Sequence, residues 1–217
     1  MRDVIVSTHF DDAALSLFSV LAEGAGRAVV LTICGGVPRA GACSAWDAAT
    51  GFVSGEEAAL ARRQENLASC AVTGAVAVDL PFLDGPYGAL DGAAVRAAVL
   101  ATLQTGDRLW VPAAIGGHPD HVAVREALAD VEATIYADGG YAGRWRRSWR
   151  PATRGLGRPV CRRLDDTTMV VKLAAVSAHA SQIAGLREGF PDLLDPRGRL
   201  RRERWWPPRR PTLPTGR

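Results

Sequence analysis

The sequence predicts an α/β domain of Rossmann-like plan: three layers, with a mostly parallel central sheet covered by helices on both faces. Two observations carry this expectation. Continuous apolar, β-branched runs alternate with helix-periodic stretches along most of the chain. Strands apolar on both sides belong to buried parallel sheets, and the helical stretch between them supplies the right-handed crossover that parallel pairing requires. A length of 217 residues, 47% hydrophobic and 23% charged, fits one globular domain. Such a domain buries roughly 70% of its unfolded surface and needs no disulfide to hold a core.

The elements follow in order. Val4-Ile5-Val6 is a short buried strand ending at Ser7-Thr8, and Asp12 to Leu21 reads as a helix with Leu15, Phe18 and Leu21 on one face. Ala28 to Ile33 is a second strand, closed by Gly35-Gly36. Ser54-Gly55-Glu56-Glu57 opens a helix that runs to about Thr73, where Gly74 stops it. Val76 to Leu80 gives a strand, Ala93 to Leu103 a helix, Arg108 to Val111 a strand, Pro119 to Leu128 a helix and Ala133 to Tyr136 a strand. Residues 139 to 164 lack periodicity. Beyond them Thr167 to Val171 suits a strand and Leu173 to Leu186 a helix carrying His179. The expected organisation is one domain over residues 1–196 and a basic, Pro- and Arg-rich tail over 197–217, irregular from Trp206 onward because its prolines continue neither helix nor sheet.

The net charge of +3 hides an asymmetry. Residues 1–143 hold 8 Arg against 17 acidic residues, whereas residues 144–217 hold 18 basic against 6 acidic. The stretch from Arg144 to Arg163 has 8 Arg and no acid, and both it and the tail contain tryptophan. Interleaved Arg and Trp suit the phosphates and bases of a nucleic acid, or the anionic group of a small substrate. They equally suit a solvated face that pairs with the acidic half. Lys172 is the one lysine among 26 basic residues, and with the abundant Ala and Gly this composition resembles the codon bias of a GC-rich bacterium. Cys34, Cys43, Cys70 and Cys161 form no C-x-x-C pair, so neither a zinc-finger spacing nor a disulfide framework can be read from them. They are expected reduced, with Cys34 and Cys70 in the core. No apolar run reaches the ~18 residues of a membrane span, and the amino end meets a histidine and two aspartates too early for a signal peptide. A cytoplasmic protein is expected.

Ligands of a doubly wound sheet sit beyond the carboxyl ends of the strands. There the sequence places Ser7-Thr8-His9-Phe10-Asp11-Asp12 after the first strand and Gly116-Gly117-His118-Pro119-Asp120-His121 after the fourth. Three of the four histidines thus project from two loops at one end of the sheet. A catalytic zinc site takes about three protein ligands of N and O type plus a water. His9, Asp12 and His121 are the candidates, because the spacings H-x-x-D and H-x-x-H turn residues at a helix start the same way. Asp11, next to a ligand but turned from it, can take a proton from a water whose pKa a metal lowers toward ~7. Either cluster alone also fits a helix N-cap; the pair at equivalent strand ends points to metal-assisted hydrolysis. No G-x-G-x-x-G follows the first strand and no G-x-S-x-G is present, which removes the main support for dinucleotide binding or a serine nucleophile.

These residues resemble the LmbE-like, PIG-L-type deacetylases, zinc hydrolases of N-acylated amino sugars. The resemblance covers most of residues 1–130: His9-Phe10-Asp11-Asp12 matches the opening H-P-D-D motif with Phe10 in place of proline, Arg62-Arg63-Gln64-Glu65 the R-x-x-E helix, Asp84-Gly85 the following aspartate-glycine, and His118-Pro119-Asp120-His121 the second metal motif. Weaker echoes follow in Ala178-His179-Ala180-Ser181-Gln182 and Glu203-Arg204-Trp205-Trp206, and Ala13-Ala14 stand where many members have an acidic or larger residue. The resemblance implies that His9, Asp12 and His121 bind Zn2+ or another divalent metal. It makes Asp11 the general base, His118 the group that polarises the amide carbonyl and steadies the oxyanion, and Asp120 the partner that orients or charges a histidine. An acidic partner would raise that imidazole's pKa.

Other positions carry two readings each. Asp84 is a turn former or a contact to a substrate hydroxyl; Arg62 pairs with Glu65 on its helix or holds a substrate anion; His179 is a packed core histidine or a pocket residue, with Gln182 at the pocket rim; Trp110 is core or pocket wall. The function implied is metal-dependent deacylation of an N-acyl amino sugar or sugar conjugate, as in small-thiol or antibiotic biosynthesis, with the arginines of 144–163 selecting the substrate. The alternatives are a hydrolase of a non-sugar amide or ester using the same site, and a non-catalytic domain that binds nucleic acid through its basic carboxyl-terminal third.

Overall fold

The apolar runs pair edge to edge at the centre of the molecule. The computed structural model describes residues 1–24, 26–139, 146–189 and 193–208. In it β1 (Asp3–Ser7), β2 (Ala28–Thr32), β3 (Val76–Asp79), β4 (Arg108–Pro112) and β5 (Thr134–Tyr136) are mutually parallel. Two antiparallel strands, β6 (Val160–Arg163) and β7 (Arg202–Trp206), complete a seven-stranded sheet of order β3-β2-β1-β4-β5-β7-β6. Asp3 lies opposite both Ala28 and Arg108, so β1 is held in register from both sides.

Strand periodicity divides the core into two layers. Val4, Val6, Leu31, Val111 and Ile135 face one cluster together with Val95 and Val99 of α5 (Gly92–Thr102) and Val124 of α6 (Pro119–Ala127). Ile5, Val30 and Trp110 face the other, with Leu17 and with Phe18 and Leu21 of α2 (Phe18–Gly24). Trp110 is core, its Nε1 donating to Asp3 Oδ1 at 2.7 Å. A third cluster joins Ala14 and Leu15 of α1 (Asp12–Ser16) to Met169 and Val176 of α8 (Asp166–Ser177) and Leu186 of α9 (Ala180–Gly189). The remaining helices are α3 (Ala45–Ala49), α4 (Gly55–Ala71), capped by the Ser54 hydroxyl, and α7 (Arg146–Ala152). Cys34 and Cys70 are buried as expected, and all four cysteines are free. Among the described residues no single helix is long and apolar enough to cross a membrane.

Four departures from the sequence reading have local causes. The helix expected from Asp12 to Leu21 is broken at Leu17 (φ −136, ψ 35). A continuous helix would bond Ser19 N–H to Leu15 O. Instead Ser19 N and Oγ donate to Glu203 Oε2 at 3.1 and 2.5 Å, and Leu15 O accepts from Lys172 Nζ at 2.9 Å. Lys172 and Glu203 pair with each other at 2.9 Å, so a buried ion pair is inserted into one missing helical bond, a recognised cause of kinks. Thr167 to Val171, expected as a strand, lies within α8: Asp165 caps Thr168 N at 2.7 Å, and Met169, Lys172, Ala175 and Val176 recur at helical spacing on the buried face. The aperiodic stretch 139–164 contains α7 and the exposed edge strand β6, whose arginines discourage further strand pairing. Finally, the sheet runs past residue 196, because the stretch expected to be a tail contributes β7 with Glu203 and Trp206 buried. The end of that stretch, from Arg209, lies outside the described residues.

Candidate metal centre

The sheet order reverses direction between β1 and β4, which opens a crevice beyond their carboxyl ends. After β1, Ser7 Oγ donates to His9 O at 2.6 Å and accepts from Ala13 N at 3.1 Å, while Asp12 Oδ2 accepts from His9 N at 2.8 Å. This wiring turns the Asp12 carboxylate back over its own loop. After β4 the chain takes left-handed conformations at Ala114, Gly116 and Gly117 (φ 61, 100 and 73), then enters α6 with His118 as N-cap and Pro119 at its first position. His121 thereby points inward from the first turn of α6.

The two loops converge on three atoms. His9 Nδ1, Asp12 Oδ2 and His121 Nε2 are separated by 3.3 Å (His9 to His121), 3.3 Å (His121 to Asp12) and 3.7 Å (His9 to Asp12). Tetrahedral zinc with ligand distances of about 2.0–2.1 Å has ligand-to-ligand edges of about 3.3–3.4 Å, close to this triangle. The chemistry of the donors agrees. His121 Nδ1 lies 2.6 Å from Asp138 Oδ1, and His9 Nε2 lies 3.2 Å from Asp120 Oδ2 and 3.4 Å from Asp84 Oδ1. Each carboxylate takes the proton-bearing nitrogen, which leaves the lone pair of the other nitrogen aimed into the triangle. His9, Asp12 and His121, the three ligands expected from the sequence, form one of two groups with metal-ligand spacing among the described residues. The second group, His9, His118 and Asp120, is joined by the His9–Asp120 contact and by Asp120 N donating to His118 Nδ1 at 3.3 Å, and it forms the support behind the first.

Asp138 escaped the sequence reading. It is buried just past β5, with Oδ1 on His121 and Oδ2 accepting from Ile115 N at 2.9 Å, so it holds both an imidazole and the β4–α6 loop. The rule that identified the other loops, polar residues beyond strand ends, would have found it had it been applied to the third loop. Burial alone would depress the His121 pKa, but Asp12 and Asp138 outweigh it and raise it to about 9. Burial works against the Asp120 carboxylate too, and His9 with the Gly85 N–H, which donates at 3.0 Å, brings it down to about 2. Gly85 allows this close approach, since a Cβ there would stand 3.0 Å from Asp120 Oδ1 and press on the carboxylate.

Asp11 occupies the N-cap position of α1 without capping it, and its side chain lines the adjoining cavity. Burial and the neighbouring Asp12 charge raise its pKa. His118 also lines the cavity, but its pKa is lowered, by burial first and then by His9 and His121, with the pull of Asp120 weaker than these. Asp120 does raise this imidazole's pKa, as expected of an acidic partner, but burial with His9 and His121 outweighs it, and Asp120 is itself engaged with His9.

The cavity has a volume of about 320 Å3, and Phe10, Leu15, Trp46, Tyr87 and Leu186 give it an apolar wall. Trp46 belongs to α3, which is clamped over the cavity. Asp47 pairs with Arg62 at 2.6 Å and accepts from the Tyr87 hydroxyl, whose oxygen accepts from Ser44 N at 2.7 Å. Arg62 thus pairs with Asp47 rather than with Glu65, because Glu65 is taken by Ser181 N and Oγ at 2.7 and 2.8 Å. Those two bonds join two motif echoes distant in the sequence. Asp84 is a turn former, its carbonyl closing a turn with Tyr87 N at 2.8 Å, and its carboxylate faces His9 at the cavity. Gln182 lines the cavity, whereas His179 is packed behind it. Arg150, Arg154, Arg158, Arg162 and Arg163 do not line the cavity; Arg162 pairs with Glu23, and Arg144 and the side chains of Arg146 and Arg147 lie outside what the structure describes.

Searches against family profiles and curated proteins found no match. Solved structures do match. A triple mutant of a deacetylase of the teicoplanin biosynthetic pathway has 24% identity, with 95% of this chain and 97% of that one covered at a TM-score of 0.77. The A40926 pseudoaglycone deacetylase Dbv21 has 26% identity over 95% and 96% of the two chains, at a TM-score of 0.74. The N,N'-diacetylchitobiose deacetylase of Pyrococcus horikoshii has 18% identity over 88% and 75%, at a TM-score of 0.60. These deacetylases belong to the LmbE-like, PIG-L-type family that the motifs resemble, and the chain has their fold.

Proposed function

We propose that this chain is a metal-dependent hydrolase that removes the acyl group from the nitrogen of an amino sugar or sugar conjugate, releasing a free amine and a short carboxylic acid. The observation that carries the reading is the triangle of His9 Nδ1, Asp12 Oδ2 and His121 Nε2 beside a cavity lined by Asp11 and His118. Zn2+ or another divalent ion held by those three residues would supply a Lewis acid that acidifies water and polarises a carbonyl. Asp11, its pKa raised by burial and by Asp12, is suited to take the proton from water and return it to the departing nitrogen. His118 accepts the Asp120 N–H at Nδ1, which places its proton on Nε2, the nitrogen suited to donate to the carbonyl oxygen as negative charge develops. One such donor in a water-poor site contributes on the order of 3–4 kcal/mol to the transition state. Asp120 and Asp84 orient His9, and Asp138 orients His121.

The substrate class draws support from the neighbours, deacetylases named for teicoplanin, for the A40926 pseudoaglycone and for diacetylchitobiose. The arginine that lines the cavity, Arg62, is neutralised by Asp47, so a neutral acceptor with an apolar face suits the wall of Trp46, Phe10 and Tyr87 better than the anionic one considered from the sequence. The test is direct. Protein loaded with one equivalent of zinc, assayed by mass spectrometry on a panel of N-acyl glucosamine conjugates and simple N-acyl amides, should release amine from the sugar members. A loaded protein inert across the panel, or hydrolysis undiminished in His121→Ala, would refute the proposal.

A further inference from the structure

His179 is the one histidine used neither as a ligand nor toward the carbonyl. It stands at the corner where α8 turns into α9, with its N–H on Val176 O at 3.1 Å and its carbonyl accepting Gln182 N at 2.9 Å. Glu65 of α4 pins that corner through Ser181. The imidazole is 1% exposed, and among the described residues neither ring nitrogen has a hydrogen-bond partner. Leaving a buried imidazole unpaired is unfavourable, so a polar partner outside the protein is called for, and a buried water is the ordinary one.

What that water would reach follows from the packing. Ala14 and Leu15 share a cluster with Val176 and Leu186, which sets the α8–α9 corner against the start of α1, and Gln182 and Leu186 line the same cavity as Asp11. Three carboxylates act electrostatically on the ring: Asp11, Glu65 and Asp12. Glu65 is occupied by Ser181, and Asp12 by His9 N and His121. Asp11 makes no capping bond. We propose that His179 is a positioning residue for Asp11, donating a ring N–H through one bridging water to the carboxylate oxygen turned from the cavity, so that the other oxygen faces the substrate. Burial favours the neutral ring, which still carries the one N–H this needs. The role rests on the deacylase function proposed above.

Four zinc-loaded variants test it beside wild type: His179→Phe, His179→Gln, Asp11→Asn and the double Asp11→Asn/His179→Phe. Loss of the donor should lower kcat about 10- to 100-fold, the cost of a misaimed group, with KM and zinc content unchanged. Gln, which keeps an N–H, should recover most of the rate, and Phe should add nothing once Asp11 is Asn. Full kcat in His179→Phe overturns the role, as does a Phe effect of equal size on the Asp11→Asn background. Should Phe not fit, His179→Met replaces it, and equal rates for Met and Gln overturn the role. A wild type without hydrolase activity would overturn the function itself, whereas an active wild type matched by its Phe variant removes only His179.

Discussion

Two sets of buried charged side chains meet α1, one at its amino-terminal end and one at its broken carboxyl-terminal end, and they are balanced differently. At the amino-terminal end His9, Asp12 and His121 bring three acceptor atoms to within 3.7 Å of one another, with Asp120, Asp84 and Asp138 behind them. Carboxylates outnumber every cation the protein itself supplies there. At the other end Lys172 meets Glu203 one for one, and the backbone groups freed by the break at Leu17, Leu15 O and Ser19 N, are each taken by a member of the pair. That set is complete as it stands. Convergent acceptors with their protons turned outward form a cation site, whereas matched charges that pair with each other and with the freed backbone groups form a strut. The polar character of a buried cluster does not distinguish the two; the direction of its protons does.

The largest effects come from breaking the first set. His121→Ala or Asp12→Ala should abolish stoichiometric zinc binding and bring hydrolysis to the uncatalysed background while leaving the circular dichroism spectrum native, because the triangle loses a corner but the sheet loses no core residue. Plasma emission metal analysis beside the amide assay checks both statements. Retained zinc in either variant would make this cluster a strut like the other.

Breaking the second set should act on stability instead. Lys172→Met or Glu203→Leu alone leaves an unpaired buried charge, and each should cost about 3–5 kcal/mol by urea denaturation. Making both changes removes the charges together and allows Ser19 N to bond Leu15 O, so most of that loss should return as α1 and α2 join into one helix. The double variant should fold yet hydrolyse more slowly, because straightening α1 shifts Asp11 and Asp12 at its start. A double variant no more stable than either single one would show that the kink does not depend on the pair.

A smaller effect is expected at Asp138, which touches no substrate position. Asp138→Asn keeps the shape but weakens the hydrogen bond that fixes the His121 tautomer, and zinc affinity measured by chelator competition should fall about 10- to 100-fold. Unchanged affinity would mean that Asp138 serves only the Ile115 N–H of the β4–α6 loop.

The same contrast explains what was legible in the sequence. The parallel strands and the residues after β1 and β4 were readable because a two-face-buried strand is a continuous apolar run and because ligands at short spacing stay adjacent in sequence. The strut was not. Lys172 stood out only as the sole lysine, and Glu203 lay in a stretch whose arginines and prolines argue for a tail; their pairing across the fold has no local signature. The arginines that hid β6 are what an exposed edge strand carries, so composition and structure pointed opposite ways at the same residues, and β7 lies inside the sheet between β5 and β6 despite its arginines. Thr167 to Val171 failed for a related reason: five β-branched or apolar residues in a row read as strand, and only the Asp165 cap and the spacing of buried side chains reveal α8. Arg62 and Glu65, three apart on one helix, were each claimed by residues far along the chain, Asp47 and Ser181.

The last expected effect concerns protons, and it differs between the metal-free and metal-loaded protein. Burial depresses the His121 pKa, but Asp12 and Asp138 raise it from 6.5 to about 9 when no cation is bound. A pKa raised on folding stabilises the protein fully below the unfolded value and ceases to do so as pH climbs through the folded one. In a chelator, then, the thermal midpoint should fall between pH 6.5 and about pH 9. Zinc must displace the same proton to bind, so its affinity rises with pH, and the gain in midpoint on adding a fixed zinc concentration should grow across that interval. Differential scanning fluorimetry at matched ionic strength reads both slopes. Parallel slopes with and without zinc would mean that His121 is not where the cation and the proton compete.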